Sequence, residues 1–288
     1  NAEIVLGNKD RLLVCSSPTG PAFEGGEISA GQRATAGAIE RVRIDRETLE
    51  PKFRVIGSEL WSTEAGFAES TKELNITGIC GSGIIEVVAE MFLAGIISED
   101  GIVDGALAER SSRVRPHGRT WSYVLHFAED ETQRDIVVTQ NDVRQIQLAK
   151  AALYAGIKLL MDKMGVSEVD RIRLAGAFGS HISVEHAMVL GLIPDCSLDH
   201  VSSAGNAAGV GARIALLDHG AREGIQRTVN KAERIETATE TDFQDYFVAA
   251  MAFPNKSDPF THLFSVIERP APKLSDASEA PRRRRRRG

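Results

Sequence analysis

Apolar and polar residues alternate from the first residues onward. "EIVLG" and "RLLVC" flank the turn Asn8-Lys9-Asp10 and predict a β-hairpin. The same period of two returns twice, in "RVRID" and "KFRVIG" around "RETLEP", and in "TWSYVLHF" and "RDIVVT" around the acidic turn "AEDETQ". Strands are therefore expected in pairs. Between the second and third pairs the pattern lengthens, and "GIIEVVAEMFLAGI" predicts an apolar helix opened by Gly81, Ser82 and Gly83 and closed near Gly95. The clearest helical period follows the third pair, where Val143, Ile146, Ala149, Leu153, Ile157, Leu160 and Met164 recur at steps of three and four and Gly165 closes the run. Thr139 and Asp142 have the spacing of a capping box with Asp in place of Glu or Gln. One face of this helix should lie on a sheet.

Further on, "RIRL" predicts a strand, then a loop of Gly176, Ala177, Phe178 and Gly179, then the helix "SVEHAMVL" with Ser183 as N-cap and Gly191 as stop. "SSAGNAAGVGARIALLDHG" is read as one helix with a small face at Gly205, Ala208, Gly209 and Ala212. A charged segment and the apolar "YFVAAMAF" then complete a domain expected over residues 1–254. Residues 255–288, rich in Pro, Ser and Arg, are expected to be a disordered tail. The Gly-, Ala- and Ser-dense segment between the first two hairpins carries Phe23 and Ile28 as anchors, so it reads as an ordered loop.

Composition sharpens this picture in three ways. With 42% hydrophobic residues over 288 positions the chain can bury a sizeable core, and 26 glycines with 6% aromatics suit an α/β fold with many tight turns. Cys15, Cys80 and Cys196 are far apart and in no C-x-x-C arrangement, so a reducing, cytoplasmic setting is expected and neither a disulfide framework nor a cysteine-held metal is. The net charge of −6 includes six consecutive arginines, Arg282 to Arg287. Without them 28 basic residues face 40 acidic ones, which argues against a nucleic-acid surface on the folded part. No apolar run is long enough to span a bilayer.

The candidate chemistry lies in glycine turns. In "GICGSG", glycines before a helix clear the approach to free amides and a positive dipole end, which suits an anion. "LAGAFGSH" repeats the device with Phe178 as an apolar wall, and Asn206 in "AGNAAGVGA" is either a site residue or an N-cap. Each turn alone is more often a packing device than a binding site. His181 and His186 stand five apart and do not share a helix face, and no hydrolase elbow or metalloprotease motif occurs, so no catalytic residue is identified.

Taken in order, "SSPTGPAFEGGEISAGQRATAGAIE", "GICGSGIIE", "DVRQIQLAKAALYAGIKLLM", "LAGAFGSHISVEHAMVLGLIP" and "AGNAAGVGARIALL" resemble the C-terminal actin-like region of the reductive activators of corrinoid-dependent enzymes. The resemblance implies an α/β fold, an actin-like ATPase (ribonuclease H-like) half-domain with a mixed sheet, β-hairpins and flanking helices. It implies ATP and Mg as ligands of the intact protein, an iron–sulfur cluster on a ferredoxin domain outside this chain, and ATP-driven reduction of cob(II)alamin to cob(I)alamin. The implied partner is a corrinoid protein or corrinoid methyltransferase, and the implied assembly is a homodimer. By the same resemblance Gly176, Ala177, Phe178 and Gly179 form the adenosine-binding turn, with Gly81, Ser82, Gly83 and Asn206 also on the nucleotide side. Family members read Asp-Ile-Gly-Thr-Asn-x-Glu in a phosphate-binding hairpin. Asn1 and Glu3 match its end, so the chain is expected to be a C-terminal part without ATPase activity by itself. The alternatives are a kinase of the same fold and a dimerisation and docking module.

Overall fold

The computed structural model describes residues 1–128 and 133–270. The first hairpin pairs β1 (Ala2–Gly7) with β2 (Leu12–Ser17), and the second pairs β3 (Ile39–Ile44) with β4 (Pro51–Val55). A single-turn helix, α1 (Phe67–Ser70), leads to α2 (Gly81–Leu93), which the glycine-led apolar run predicts. Gly95 takes a positive φ just past its end. The third hairpin gains a partner: β5 (Val114–His117) joins β6 (Thr120–His126) and β7 (Ile136–Thr139) in the order β5-β6-β7. Pro116 hides β5 from a propensity reading, yet an edge strand tolerates a residue that cannot donate. The turn "AEDETQ" lies partly outside the described residues.

The long helix α3 (Gln140–Met164) starts with the expected capping box, in which the Thr139 hydroxyl accepts from the Asp142 amide and the Asp142 carboxylate accepts from the Thr139 amide. Its apolar face meets the first hairpin, where Leu160 packs with Leu13, Cys15, Ile4 and Leu6. Then come β8 (Ile172–Ala175), α4 (Gly176–His181), α5 (Val184–Leu190), β9 (Val201–Gly205), α6 (Ala207–Leu217), α7 (His219–Lys231), β10 (Ala232–Arg234), α8 (Phe243–Ala249) and α9 (Leu263–Val266). β8 and β9 pair in parallel, and β10 adds to β2 in parallel.

Three expectations are corrected here. Residues 176–179 do not form a loop but the first turns of α4, because Ala175 ends the strand extended and the chain turns straight into helix at Gly176. "SSAG" is not the start of a helix but the end of β9, and the small residues begin their helix only after Asn206. The packed chain also runs past Pro254: Phe260 and Leu263 are fully buried, two apolar anchors that a disordered tail lacks. Residues 271–288, with the arginine run, lie outside the described residues.

The main core gathers α2, α5, β3, β4, β6 and β7. From Ser82 to Leu93 every α2 residue is buried, including Glu86 and Glu90. One helical turn apart, these two carboxylates face the same way and take up the backbone of β3, which bulges at Ile39/Arg41. Glu86 accepts from the Val42 amide at 2.9 Å, from Arg41 at 3.0 Å and from Arg43 at 2.6 Å. Glu90 accepts from the Ile44 amide at 2.9 Å and lies 2.8 Å from Nε2 of His186, whose Nδ1 is 2.7 Å from the Ser183 hydroxyl. Buried charges so paired hold their elements in one arrangement, and removing one partner is costly. Lys150 is a further buried titratable group, its amine donating from α3 to the carbonyls of Ala252 and Pro254. Burial pushes its amine well below the usual lysine range. Among the described residues, no helix is long and apolar enough to cross a membrane.

Candidate functional site

Two strand ends stand side by side. β8 and β9 are adjacent and parallel, with Ala175 in register with Gly205, so the chain leaves both strands at the same level. Each exit is a glycine in a conformation that a side chain disfavours, Gly176 at φ +97 and Gly205 at φ +61, and a Cβ at either would meet no atom within 4 Å. A helix starts after each. In open α/β sheets the space beyond the carboxyl ends of parallel strands is where ligands settle.

Hydroxyls line this ledge. Ser180 donates to the Gly176 carbonyl at 2.8 Å, the Ser203 hydroxyl reaches Ser180 at 3.1 Å, and the Gly205 amide donates to the Ser203 hydroxyl at 3.1 Å. The Asn206 side chain caps α6 by accepting from the Gly209 amide at 2.9 Å, so the ordinary role weighed for it is the one observed. The amides of Ala207 and Ala208, one and two residues into α6, have no intrahelical acceptor and stand at the positive end of its dipole. This arrangement offers open backbone, hydroxyls and helix-end amides to a ligand that carries an anionic group and a flat or polar body.

The other predicted residues are placed differently. Phe178 stacks on Phe23 with centroids 5.9 Å apart and planes 21° apart, and packs against the core. It lies behind the ledge. Gly179 clears Leu174, whose backbone a Cβ would crowd at 3.2 Å. At the start of α2, a Cβ on Gly81 would come within 2.2 Å of the Phe23 carbonyl, and one on Gly83 within 2.3 Å of the Ile39 carbonyl. Ser82 is buried beside Cys80, with its hydroxyl 3.4 Å from that sulfur. Protein atoms occupy the room these glycines make. The two glycine turns nevertheless touch, because the Phe178 ring would lie 3.0 Å from a Cβ on Gly81. Arg41 adds a second tie, donating to the carbonyl of His181 at the end of α4 at 2.7 Å while it pairs with Glu86. Asn1 is exposed before β1, and Glu3 lines a groove between β1 and β8.

Sequence reasoning singled out Gly205 only within a small helical face that a backbone or a ligand could approach, and did not single out Ser203 or Ser180. A signal was present: "LAGA" and "SAGN" are the same strand-Ala-Gly exit written twice, 29 residues apart in sequence but adjacent in the sheet. Among the described residues no group of three or more His, Cys, Asp or Glu could hold a metal ion. Cys15, Cys80 and Cys196 are each buried and free, and burial raises the Cys15 thiol to about 11. Such cysteines do not fit an iron–sulfur cluster within this chain.

Comparison with known proteins assigns this mixed α/β chain to the actin-like fold. The chain belongs to the family described as the C-terminal domain of RACo, the ASKHA domain, which it matches over residues 1–264. It is 34% identical over 262 residues to the corrinoid activation enzyme RamQ of Eubacterium limosum, covering 88% of this chain and 41% of that protein. It is 24% identical to the [Co(II) methylated amine-specific corrinoid protein] reductase of Methanosarcina barkeri, covering 95% of this chain and 49% of that one. A solved reductive activator for a corrinoid, iron–sulfur protein superposes with a TM-score of 0.75 at 35% identity, over 88% of this chain and 38% of that one. The chain thus spans less than half the length of each of these relatives.

Proposed function

We propose that this chain is the nucleotide-binding part of an ATP-dependent reductive activator that returns cob(II)alamin on a partner corrinoid protein to cob(I)alamin. The names of the three relatives support the corrinoid partner, and the observation that carries the nucleotide is the ledge at Gly176 and Gly205. On this reading the adenosine lies along the open backbone of residues 176 and 205, Ser180 and Ser203 orient its polar edge, and the α6 amides face its anionic end. ATP, with its magnesium, supplies binding and hydrolysis energy when bound. The remaining phosphate contacts and the one-electron donor, an iron–sulfur cluster, belong to regions outside this chain. Cobalt(II) gains one electron from that donor. Nucleotide favours the reduction only by stabilising the complex in which the reduced cobalt is preferred.

The test is ATP-dependent cob(I)alamin formation on a corrinoid protein by the activator containing this chain, with Gly205→Asn as the variant. Asparagine tolerates a left-handed backbone, so it fills the ledge without unfolding the turn. Loss of ATP dependence with an unchanged melting temperature is expected. Full activity in the variant would remove the ledge from the mechanism.

A further inference from the structure

The β3–β4 hairpin has two faces. Val42, Ile44, Phe53 and Val55 lie in the core, and the alternate positions Arg41, Arg43, Lys52 and Arg54 form the opposite face. Register sets like charge against like charge there, since Arg41 stands across from Arg54 and Arg43 across from Lys52. Like charges directly opposite on adjacent strands are destabilising, so four cations on one face call for anions. The protein supplies only part of them. Arg41 and Arg43 share the buried Glu86, and Arg54 pairs with the exposed Glu59, but Lys52 has no carboxylate partner among the described residues. The buried Nε of Arg54 likewise has no hydrogen-bond partner among them. A concavity of about 650 Å³ opens beside this face, walled by Trp61, with the Arg43 guanidinium 5.9 Å and the Lys52 amine 5.2 Å from the indole centroid. The acids that line it are already engaged. Asp45 accepts from the Glu47 and Thr48 amides, Glu50 from Arg113 at 2.7 Å, and Glu90 from the Ile44 amide beside His186. What stays open to a ligand is positive, on a folded part that is otherwise acidic.

We propose that this face docks an acidic segment of the partner corrinoid protein, with carboxylates reaching Lys52 and Arg43 beside Trp61. The inference rests on the corrinoid-partner reading and deepens it by naming the surface. Charge complementarity selects the chemistry of the occupant. A second feature selects the partner among acidic ligands. One oxygen of Glu86 takes Arg41 and the other takes Arg43, and Arg41 also donates to the His181 carbonyl at the end of α4, the helix that starts at the ledge. A carboxylate that draws on Arg43 changes what Glu86 offers Arg41, and Arg41 holds α4. Partner and nucleotide must sense each other if ATP is to favour cobalt reduction, and this face gives them a chain of direct contacts.

Charge reversal tests it. The activator containing this chain is titrated with its cob(II)alamin-loaded corrinoid protein at low and at high salt, as wild type, Lys52→Gln and Lys52→Glu. Lys52 is exposed and a glutamate there stands across from Arg43, so the melting temperature and the affinity for a non-hydrolysable ATP analogue alone should not change. Binding of the corrinoid protein is expected to weaken roughly tenfold or more in Lys52→Glu at low salt and less in Lys52→Gln, with the gap closing as salt rises. Unchanged partner affinity in Lys52→Glu, or a gap that salt does not close, would overturn the proposal and leave the corrinoid reading standing. Equal weakening toward an unrelated acidic protein would make this a general polyanion surface and overturn the assigned occupant. A wild-type activator that neither binds nor reduces the corrinoid protein would overturn both.

Discussion

α2 and α6 begin alike and end up opposite. Each follows a glycine-bearing turn and opens with small residues, yet α2 is buried from Ser82 to Leu93 and α6 has no buried residue at all. The space beside Gly81 and Gly83 is filled by the carbonyls of Phe23 and Ile39, whereas the space beside Gly176, Gly205 and Gly211 is open. A glycine turn is written the same way whether it admits a neighbouring backbone or leaves room for a ligand. What separates the two is what surrounds them: α2 is enclosed by core elements, with Glu86 and Glu90 paired to β3, whereas the equally apolar α6 leaves Val210, Ile214, Leu216 and Leu217 exposed beside a charged α7.

The largest effect should come from filling α2's turn. Gly83→Val places side-chain atoms against the Ile39 carbonyl and is expected to cost about 3 kcal/mol or more, or to prevent folding, in chemical denaturation. A stable Gly83→Val protein would mean that this turn has slack and belongs with the open ones. Next comes Glu86→Ala, which leaves Arg41, Arg43 and the Val42 amide without their carboxylate and should cost about 3–5 kcal/mol. Because Arg41 also holds the His181 carbonyl, this variant should loosen α4, read as faster exchange in residues 176–181.

Lys150 gives a smaller effect with a distinctive pH dependence. Its folded pKa lies below the ordinary value of about 10.4, so between the two the unfolded chain binds more protons and stability rises with pH. Lys150→Met unpairs the Ala252 and Pro254 carbonyls and is expected to cost about 1–2 kcal/mol at pH 9 and less at pH 7. Urea midpoints at the two pH values check this, and an equal cost at both would mean the amine is charged throughout. The smallest stability change belongs to the ledge, where Gly205→Asn should shift stability by no more than about 1 kcal/mol.

Much of the fold was legible because its signals are local. The capping box at Thr139 and Asp142, the stops at Gly165 and Gly191 and the three hairpins each depend on a few adjacent residues. What was not legible depends on distant partners. β10 is three residues, Ala-Glu-Arg, made a strand only by the β2 edge beside it. β9 was absorbed into the following helix because Ser-Ser-Ala-Gly has no apolar alternation, and it is a strand because β8 pairs with it. The glycine exit was legible at Gly176, while Gly205 was read as part of a helix face, for that reason. Phe178 drew attention as a ligand wall, but its stacking partner Phe23 lies 155 positions away and could not be foreseen. Phe260 and Leu263 likewise settle into the core beyond the expected boundary at 254.

On the proposed function, the ledge at Gly176 and Gly205, and not the turn at Gly81 to Gly83, takes the nucleotide. Hydrogen exchange of the protein with and without a non-hydrolysable ATP analogue measures both turns at once. Slower exchange at residues 205–209 and 176–180, abolished by Gly205→Asn, with no change at residues 81–84, is the predicted result. Protection at residues 81–84 with none at 205–209 would contradict it.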